Sequence, residues 1–237
     1  MKITLVRDID KDSKAFDQKL VLVAGWVKSV RANGSVGFID FTDGTCFKGL
    51  QIVFEPTLKN FDVIEKLNTG SSISCKGTFV LTPENRQPYE LRATEVDVIS
   101  ATDAEYPLQK KRHSVEFLRD MAYLRPRTNT FQAVFRIRSV AAMAIHTYFQ
   151  EHGFLYVHTP LITCTDCEGS DQMFKVTTLD FNNLPKTEDG KVDFSKDLFG
   201  KQAFITGSGQ LHGEAFALAF NKIYTFGPTF RTENSNT

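Results

Sequence analysis

The sequence predicts two domains of different class: a small closed β-barrel over the first hundred or so residues, then a domain that opens on a long amphipathic helix. Three observations carry this. Five short runs before residue 100 alternate apolar and polar side chains, the period of a half-buried strand. A short helical pattern interrupts them between the third run and the fourth. From residue 129 the apolar period lengthens to that of an α-helix and holds to about residue 151.

The five runs are 20–31 (LVLVAGWVKSVR), 36–42 (VGFIDFT), 49–54 (GLQIVF), 71–80 (SSISCKGTFV) and 89–99 (YELRATEVDVI). Asn33-Gly34 and Asp43-Gly44 are hairpin turn pairs. Over 58–68 the positions of Leu58, Phe61, Ile64, Glu65 and Leu67 suit a short helix. Five strands with a helix between the third and fourth is the order of the OB-fold, a small Greek-key barrel. Such barrels bind single-stranded nucleic acid on one face through aromatic and basic side chains. The candidates here are Arg31, Phe38 and Gln51. Phe38 and Ile39 must point to opposite faces of their strand, and the pattern leaves open which of them is the core residue. Arg31 reads equally as a solvated surface charge.

The stretch 103–128 changes character and is punctuated by Pro107 and Pro126. From Pro107 to Arg138, eight lysines and arginines stand against two acids, Glu116 and Asp120. That is a local patch in a chain whose 28 basic and 28 acidic residues otherwise balance. It fits a solvated linker, or a domain junction lying along a phosphate backbone. The helix that follows carries Phe131, Val134, Phe135, Val140, Ala141, Ala144, Ile145, Tyr148 and Phe149 near the helical period, with Gly153 where a C-terminal cap belongs. Then GFLYVHTPLIT, 153–163, reads as one extended strand. Its internal proline makes it an edge strand or a strand end. A long apolar helix leading to an unpaired edge suits a dimer surface, and core packing suits it too.

Composition excludes several classes. The chain has 237 residues, 41% hydrophobic and 24% charged, enough for one large or two medium globular domains. A balanced charge argues against a general polyelectrolyte binder. No run approaches the length of a membrane span, and the first residues show no signal-peptide pattern, so a cytoplasmic protein is expected. Four cysteines do not make a disulfide framework. Cys164 and Cys167 have the spacing of half a zinc site, but Cys46 and Cys75 lie in the barrel, so no bound metal is expected.

The helix, the strand ending in HTPLIT and the later GPTFRTENSN together resemble motifs 1 and 2 of the class II aminoacyl-tRNA synthetases. Motif 1 of that family ends in a proline, here Pro160. Motif 2 carries Phe-Arg-x-Glu on a strand, here Phe230, Arg231, Thr232 and Glu233. With a barrel in front, the chain resembles the subgroup that charges aspartate, asparagine or lysine. TGSGQLHGEAFA (206–217) with TFGPTFRTENSNT is similar to the asparagine-specific members, and the polar stretch 178–201 to an insertion in their bacterial type. The resemblance covers essentially the whole chain. It implies an OB-fold anticodon-binding domain over 1–102, a hinge over 103–128, and over 129–237 the N-terminal part of an α+β catalytic domain built on an antiparallel sheet. Since motif 2 is barely complete, it also implies a portion of a longer enzyme, inactive without the family's third motif.

The implied reaction joins L-asparagine to tRNA(Asn) in two steps, adenylate formation from ATP and transfer to the tRNA 3′ end, with Mg2+ arriving with the ATP. The first step brings two anions together. A fixed arginine, whose planar fork can hydrogen-bond both, is the natural catalyst, and Arg231 takes that role. Glu233 would meet the adenine amino group. Glu168 aligns with the carboxylate that meets the substrate ammonium, and Ser208, Gln210 and Glu214 lie on the next pocket segment. Gly213 stands where aspartate-charging relatives carry a lysine. Without that cation a second carboxylate would be buried unpaired, which favours asparagine over aspartate. A close-packing glycine is the other reading of Gly213, and His212 is read as packed or solvent-facing rather than as a ligand. The resemblance places Arg31, Phe38 and Gln51 on the anticodon-facing surface, Phe38 as a base-stacking platform, and implies a homodimer through the motif 1 helix and strand, with Pro160 at the interface. Two alternatives stay open: an aspartyl or non-discriminating synthetase, and a non-catalytic OB module binding tRNA or single strands. An asparagine-synthesising relative of the same fold usually lacks the barrel.

Overall fold

In the computed structural model, residues 1–85, 87–165 and 173–232 are described. The chain divides into two compact units, Met1–Ile137 and Arg138–Thr237. Each is described by itself.

The first unit is built on a closed barrel of β1 (Leu20–Ala32), β2 (Gly37–Thr42), β3 (Leu50–Phe54), β4 (Ser72–Leu81) and β5 (Tyr89–Ser100), in the order β1-β2-β3-β5-β4. The pairing is antiparallel except for β3 with β5, which run parallel. Closure comes from β1. It pairs with β2 on one side and β4 on the other, and its register shifts between Val27 and Ser29, a bulge that bends the strand. Alternation puts every second residue inside, so Ile39, Phe41, Leu50, Ile52, Phe54, Ile73, Phe79 and Leu91 are completely buried. A short N-terminal helix, α1 (Val6–Lys11), adds Val6 and Ile9 to this core. The Asp43 carboxylate holds its first turn by accepting from the Val6 amide at 2.8 Å.

The helix expected over 58–68 is shorter in the structure: α2 spans only Phe61–Ile64. Single turns flank it, with i to i−3 bonds such as Leu67 N–H to Ile64 O at 3.1 Å. Phe61 and Ile64 are buried in the barrel core, so the apolar pattern was met by packing rather than by helix length. After β5, α3 (Val115–Asp120) starts on Ser114, whose hydroxyl accepts from the Phe117 amide at 3.2 Å. Leu108, Leu118 and Leu124 form a second, small core cluster there.

The long helix α4 spans Asn129–Glu151. It ends in a Schellman motif. Phe154 N–H bonds Phe149 O at 2.9 Å, Gly153 N–H bonds Gln150 O at 3.1 Å, and the Phe149 and Phe154 rings meet at 5.2 Å. Gly153 takes φ +75°, which a side-chain-bearing residue rarely adopts. Beyond it the single strand expected over 153–163 is two: β6 (Leu155–Tyr156) and β7 (Ile162–Thr163), with Pro160 between them. Proline has no amide hydrogen to continue a ladder. β6 pairs in parallel with β10 (Ile223–Tyr224), and β7, β9 (Ala203–Ile205) and β8 (Lys175–Val176) form an antiparallel sheet in the order β7-β9-β8. Between β9 and β10 lies α5 (Gln210–Phe220). The C-terminal half of α4 packs on β6 and β10 through aromatic rings. Phe149 stacks on Tyr224 at 4.7 Å, and His146 Nδ1 lies 2.7 Å from the Tyr224 hydroxyl.

Candidate functional site

Barrel register settles which residues share the outer face. Arg31 on β1 is directly opposite Phe38 on β2, and Asp40, two residues on, is opposite Gln51 on β3. Directly opposed residues and i, i+2 neighbours lie on one side of a sheet, so Arg31, Phe38, Asp40 and Gln51 form one face. Ile39 is fully buried, so Phe38 is the outward residue of the pair. Arg31, Phe38 and Gln51 line a concavity of about 400 Å³ together with Asn33 and Val36. Sequence reasoning missed three contributors. Asn85 and Gln87, from the β4–β5 loop, share an adjoining concavity with Arg31 and Gln51. Lys110, from the segment after the barrel, lines another with Ser29, Arg31 and Asp40. The β4–β5 loop could have been found, because the loops of this barrel type border its binding face. Lys110 belongs to the basic stretch already read as a patch, but nothing local placed it on this face. The face therefore offers an aromatic ring, an amide with both donor and acceptor, and two cations around a groove, the chemistry single-stranded nucleic acid needs.

In the second unit three separated segments converge. Thr206 N–H bonds Leu161 O at 2.8 Å, and Thr206 O accepts from Phe230 N–H at 3.0 Å. One residue thus ties the segment after Pro160 to the one that carries Arg231. The Arg231 side chain lies along Gly207, with its Nε donating to Gly207 O at 3.3 Å. Arg231 does not sit on a strand as expected: β10 ends at Tyr224, and Gly227 and Pro228 interrupt any ladder before it. The Ser208 hydroxyl accepts from the Gln210 amide at 3.1 Å and so turns the chain into α5. One turn on, Gln210 Nε2 donates to Glu214 Oε1 at 3.3 Å. Ser208, Gln210 and Glu214 therefore line the first turns of α5, close in sequence to the Gly207 that Arg231 touches.

Gly213, one turn along α5 from Gln210, is buried, and a Cβ there would sit 3.3 Å from Ile223 Cδ1, a tight contact that the end of the Ile223 side chain would have to yield to. Close packing of α5 on β10 thus favours a small residue at this position. His212 has its Nε2 buried with no hydrogen-bond partner among the described residues. Glu168, Glu233 and Cys167 lie outside the described residues. Cys164 is a free, partly exposed thiol. Among the described residues no group of three His, Cys, Asp or Glu side chains could hold a metal ion, and no helix is long and apolar enough to cross a membrane.

Residues 114–237 match the family model described as tRNA synthetases class II (D, K and N). This chain belongs to that family. Residues 21–99 of this class II synthetase chain match a second model, an OB-fold nucleic acid binding domain. Among curated proteins it is 58% identical to the asparagine–tRNA ligase of Acetivibrio thermocellus over 238 residues, all of this chain and 51% of the relative. It is 54% identical to that of Clostridium tetani, with the same coverage. The synthetase chain thus spans about half the length of the curated relatives it matches. Its fold is similar to asparaginyl-tRNA synthetase from Pyrococcus horikoshii complexed with asparaginyl-adenylate. That match has a TM-score of 0.80 at 24% identity and covers all of this chain and 50% of the other. The Entamoeba histolytica asparaginyl-tRNA synthetase matches at TM-score 0.75 and 21% identity, again over 100% and 50%.

Proposed function

We propose that this chain is the barrel-bearing part of an enzyme that ligates L-asparagine to tRNA(Asn). The reading is carried by one observation: Thr206 draws the segment after Pro160 and the one bearing Arg231 together, and Arg231 lies against Gly207 at the entry to α5. Family membership and the names of relatives at 54–58% identity support the same activity.

In the first step an asparagine carboxylate oxygen bonds to the α-phosphorus of ATP and the bond to the pyrophosphate leaving group breaks. Two anions must approach, and the Arg231 guanidinium hydrogen-bonds both and stabilises the charge that builds between them. In the second step the terminal ribose hydroxyl of tRNA attacks the adenylate carbonyl and AMP leaves. Ser208, Gln210 and Glu214 form one wall of the amino-acid pocket, Glu168 takes the substrate ammonium, and Glu233 the adenine amino group. Magnesium arrives with the ATP. The preference for asparagine rests on the relatives more than on Gly213, whose tight packing against Ile223 also favours a small residue. Arg31, Phe38 and Gln51 hold the anticodon, with Phe38 stacking on a base. Residues 1–102 serve as the anticodon-binding domain and 103–128 as the hinge before the catalytic part, 129–237. The product is a cytoplasmic homodimer formed through residues 129–163 with Pro160 at the interface. In support, Ile137, Val140 and Met143 on α4 are 68%, 70% and 62% exposed.

ATP–pyrophosphate exchange on the full-length gene product, with asparagine and aspartate run side by side, tests the reading. Exchange with asparagine alone is expected, and Arg231→Ala lowers it by about 10²–10³-fold with tRNA binding retained. Exchange with aspartate overturns the specificity. Exchange with neither, alongside retained tRNA binding, leaves a nucleic-acid-binding module.

A further inference from the structure

The first unit holds a second cavity, beside the middle of β1, and the proposed reaction does not use it. It has a volume of about 580 Å³ and lies between the barrel and the segment 106–132. That is the size of a small-molecule site, about 300–1,000 Å³. Two aromatic residues line it, Trp26 and Tyr106. Four cations do as well, Lys28, Lys111, Arg112 and Arg127, and among the described residues no carboxylate does. Among the described residues none of these four makes an ion pair. In a chain of balanced charge this is a concentrated, uncompensated positive field in a concave site, where it acts most strongly on a small anion.

The walls are built rather than left over. The Tyr106 ring packs on the backbone of Gly70, where an added Cβ would sit 2.8 Å from the ring. Gly70 also takes φ +91°, so a side chain there would be both strained and in collision. Arg127 Nη1 donates to the Tyr106 hydroxyl at 3.0 Å, fixing ring and cation together. Leu108 and Leu118, both buried, supply an apolar floor. Asn129 and Thr130, the first residues of α4, also line the cavity, so the positive end of a long helix adds to the side-chain charge.

We propose that this cavity binds a nucleoside 5′-monophosphate: the planar base against Trp26 and Tyr106, the phosphate among Lys111, Arg112 and Arg127. A ring alone would leave the cations unpaired, and an inorganic anion alone would leave the aromatic wall bare. Only a ligand with both parts satisfies the site. AMP, the leaving product of the proposed ligation, has this form. The site stands independently of that activity, whose reacting groups are assigned to the other unit and whose anticodon contacts to Arg31, Phe38 and Gln51.

The molecule carries its own probe. Trp26 is the one tryptophan in the sequence, and it is 44% exposed. Its fluorescence, excited at the red edge of its absorption, is followed while AMP is added to the 237-residue chain. Saturable quenching is expected. Adenosine, without the phosphate, should bind at least about tenfold more weakly, as should AMP to the double variant Lys111→Gln, Arg112→Gln. Both side chains are exposed, so an unchanged thermal midpoint shows that the variant is folded. Four results overturn the proposal: no saturable quenching, adenosine as effective as AMP, inorganic phosphate displacing AMP at equal concentration, or quenching by tRNA with none by AMP.

Discussion

The two units of this chain bury their apolar residues in opposite ways. In Met1–Ile137 a barrel closes on itself and encloses one continuous core, with Phe41, Phe54 and Phe79 all fully buried. In Arg138–Thr237 the buried hydrophobic residues among those described are few, Val157, Ala203 and Tyr224, while Val140 is 70% and Leu218 92% exposed. The barrel is closed by strands that all lie within this chain, whereas the second unit belongs to a family domain in a chain that spans about half the length of its relatives. A barrel has no free edge and one inside, so every second side chain of each strand has a core to enter. Short open sheets with helices on them have two faces and two edges, and their apolar helix surfaces need cover from elsewhere. The proposed dimer supplies such cover for α4.

The sharpest way to break this contrast is in the barrel. Phe41→Ala removes a fully buried ring at the centre of the core and should destabilise the first unit by about 3–5 kcal/mol, read from denaturant unfolding. A loss below about 1 kcal/mol would mean that the barrel core is far looser than its burial implies. In the second unit, cover rather than core is the test. Val140→Asp with Met143→Asp should turn the full-length dimer into a monomer at micromolar concentration by sedimentation, through burial of two charges in an apolar contact. A dimer that survives both changes would place the interface elsewhere.

The smallest effect is on pH. Asp197 anchors the polar stretch 178–201. Its carboxylate accepts from the Thr178 amide at 2.9 Å and the Leu198 amide at 2.8 Å. The Thr177 side chain and then these amides hold its pKa down at about 2. A carboxyl depressed in the folded state stabilises above its unfolded value, and that contribution is lost as pH falls through the folded one. Protection of the Thr178 and Leu198 amides, their exchange compared with the intrinsic rate at each pH, should therefore fall between about pH 4 and pH 2, and Asp197→Asn should remove that dependence. Protection that is flat over this range in the parent would remove the anchoring role.

Reading the sequence succeeded where the determining contacts are local. The helix 129–151 follows from an apolar period that recurs every few residues, and its stop at Gly153 from a backbone conformation a glycine adopts easily. The five barrel strands lie within a residue or two of their runs because alternation is a property of the strand itself. Where two readings are locally equal, only the fold separates them. Phe38 and Ile39 have the same pattern credentials, and it took closure of the barrel to put Ile39 inside. GFLYVHTPLIT reads as one strand, yet its two halves pair with different partners, β10 and β9, so it breaks at Pro160.

The motif resemblance placed Arg231 with Ser208 and Gln210 in one site. Residue order alone did not show that Thr206 joins Leu161 to Phe230, or that Gly213 packs against Ile223. The cavity lined by Trp26, Tyr106 and Lys111 is the furthest from legibility. Its residues come from a barrel strand and from a segment some eighty positions later in the chain. The sequence registers the basic cluster at 110–112 but not what it faces. Secondary structure is set by neighbours a few residues apart and is written in the period of the chain. A site made by side chains from distant segments comes into being only when the barrel closes and the chain after it is laid against its wall.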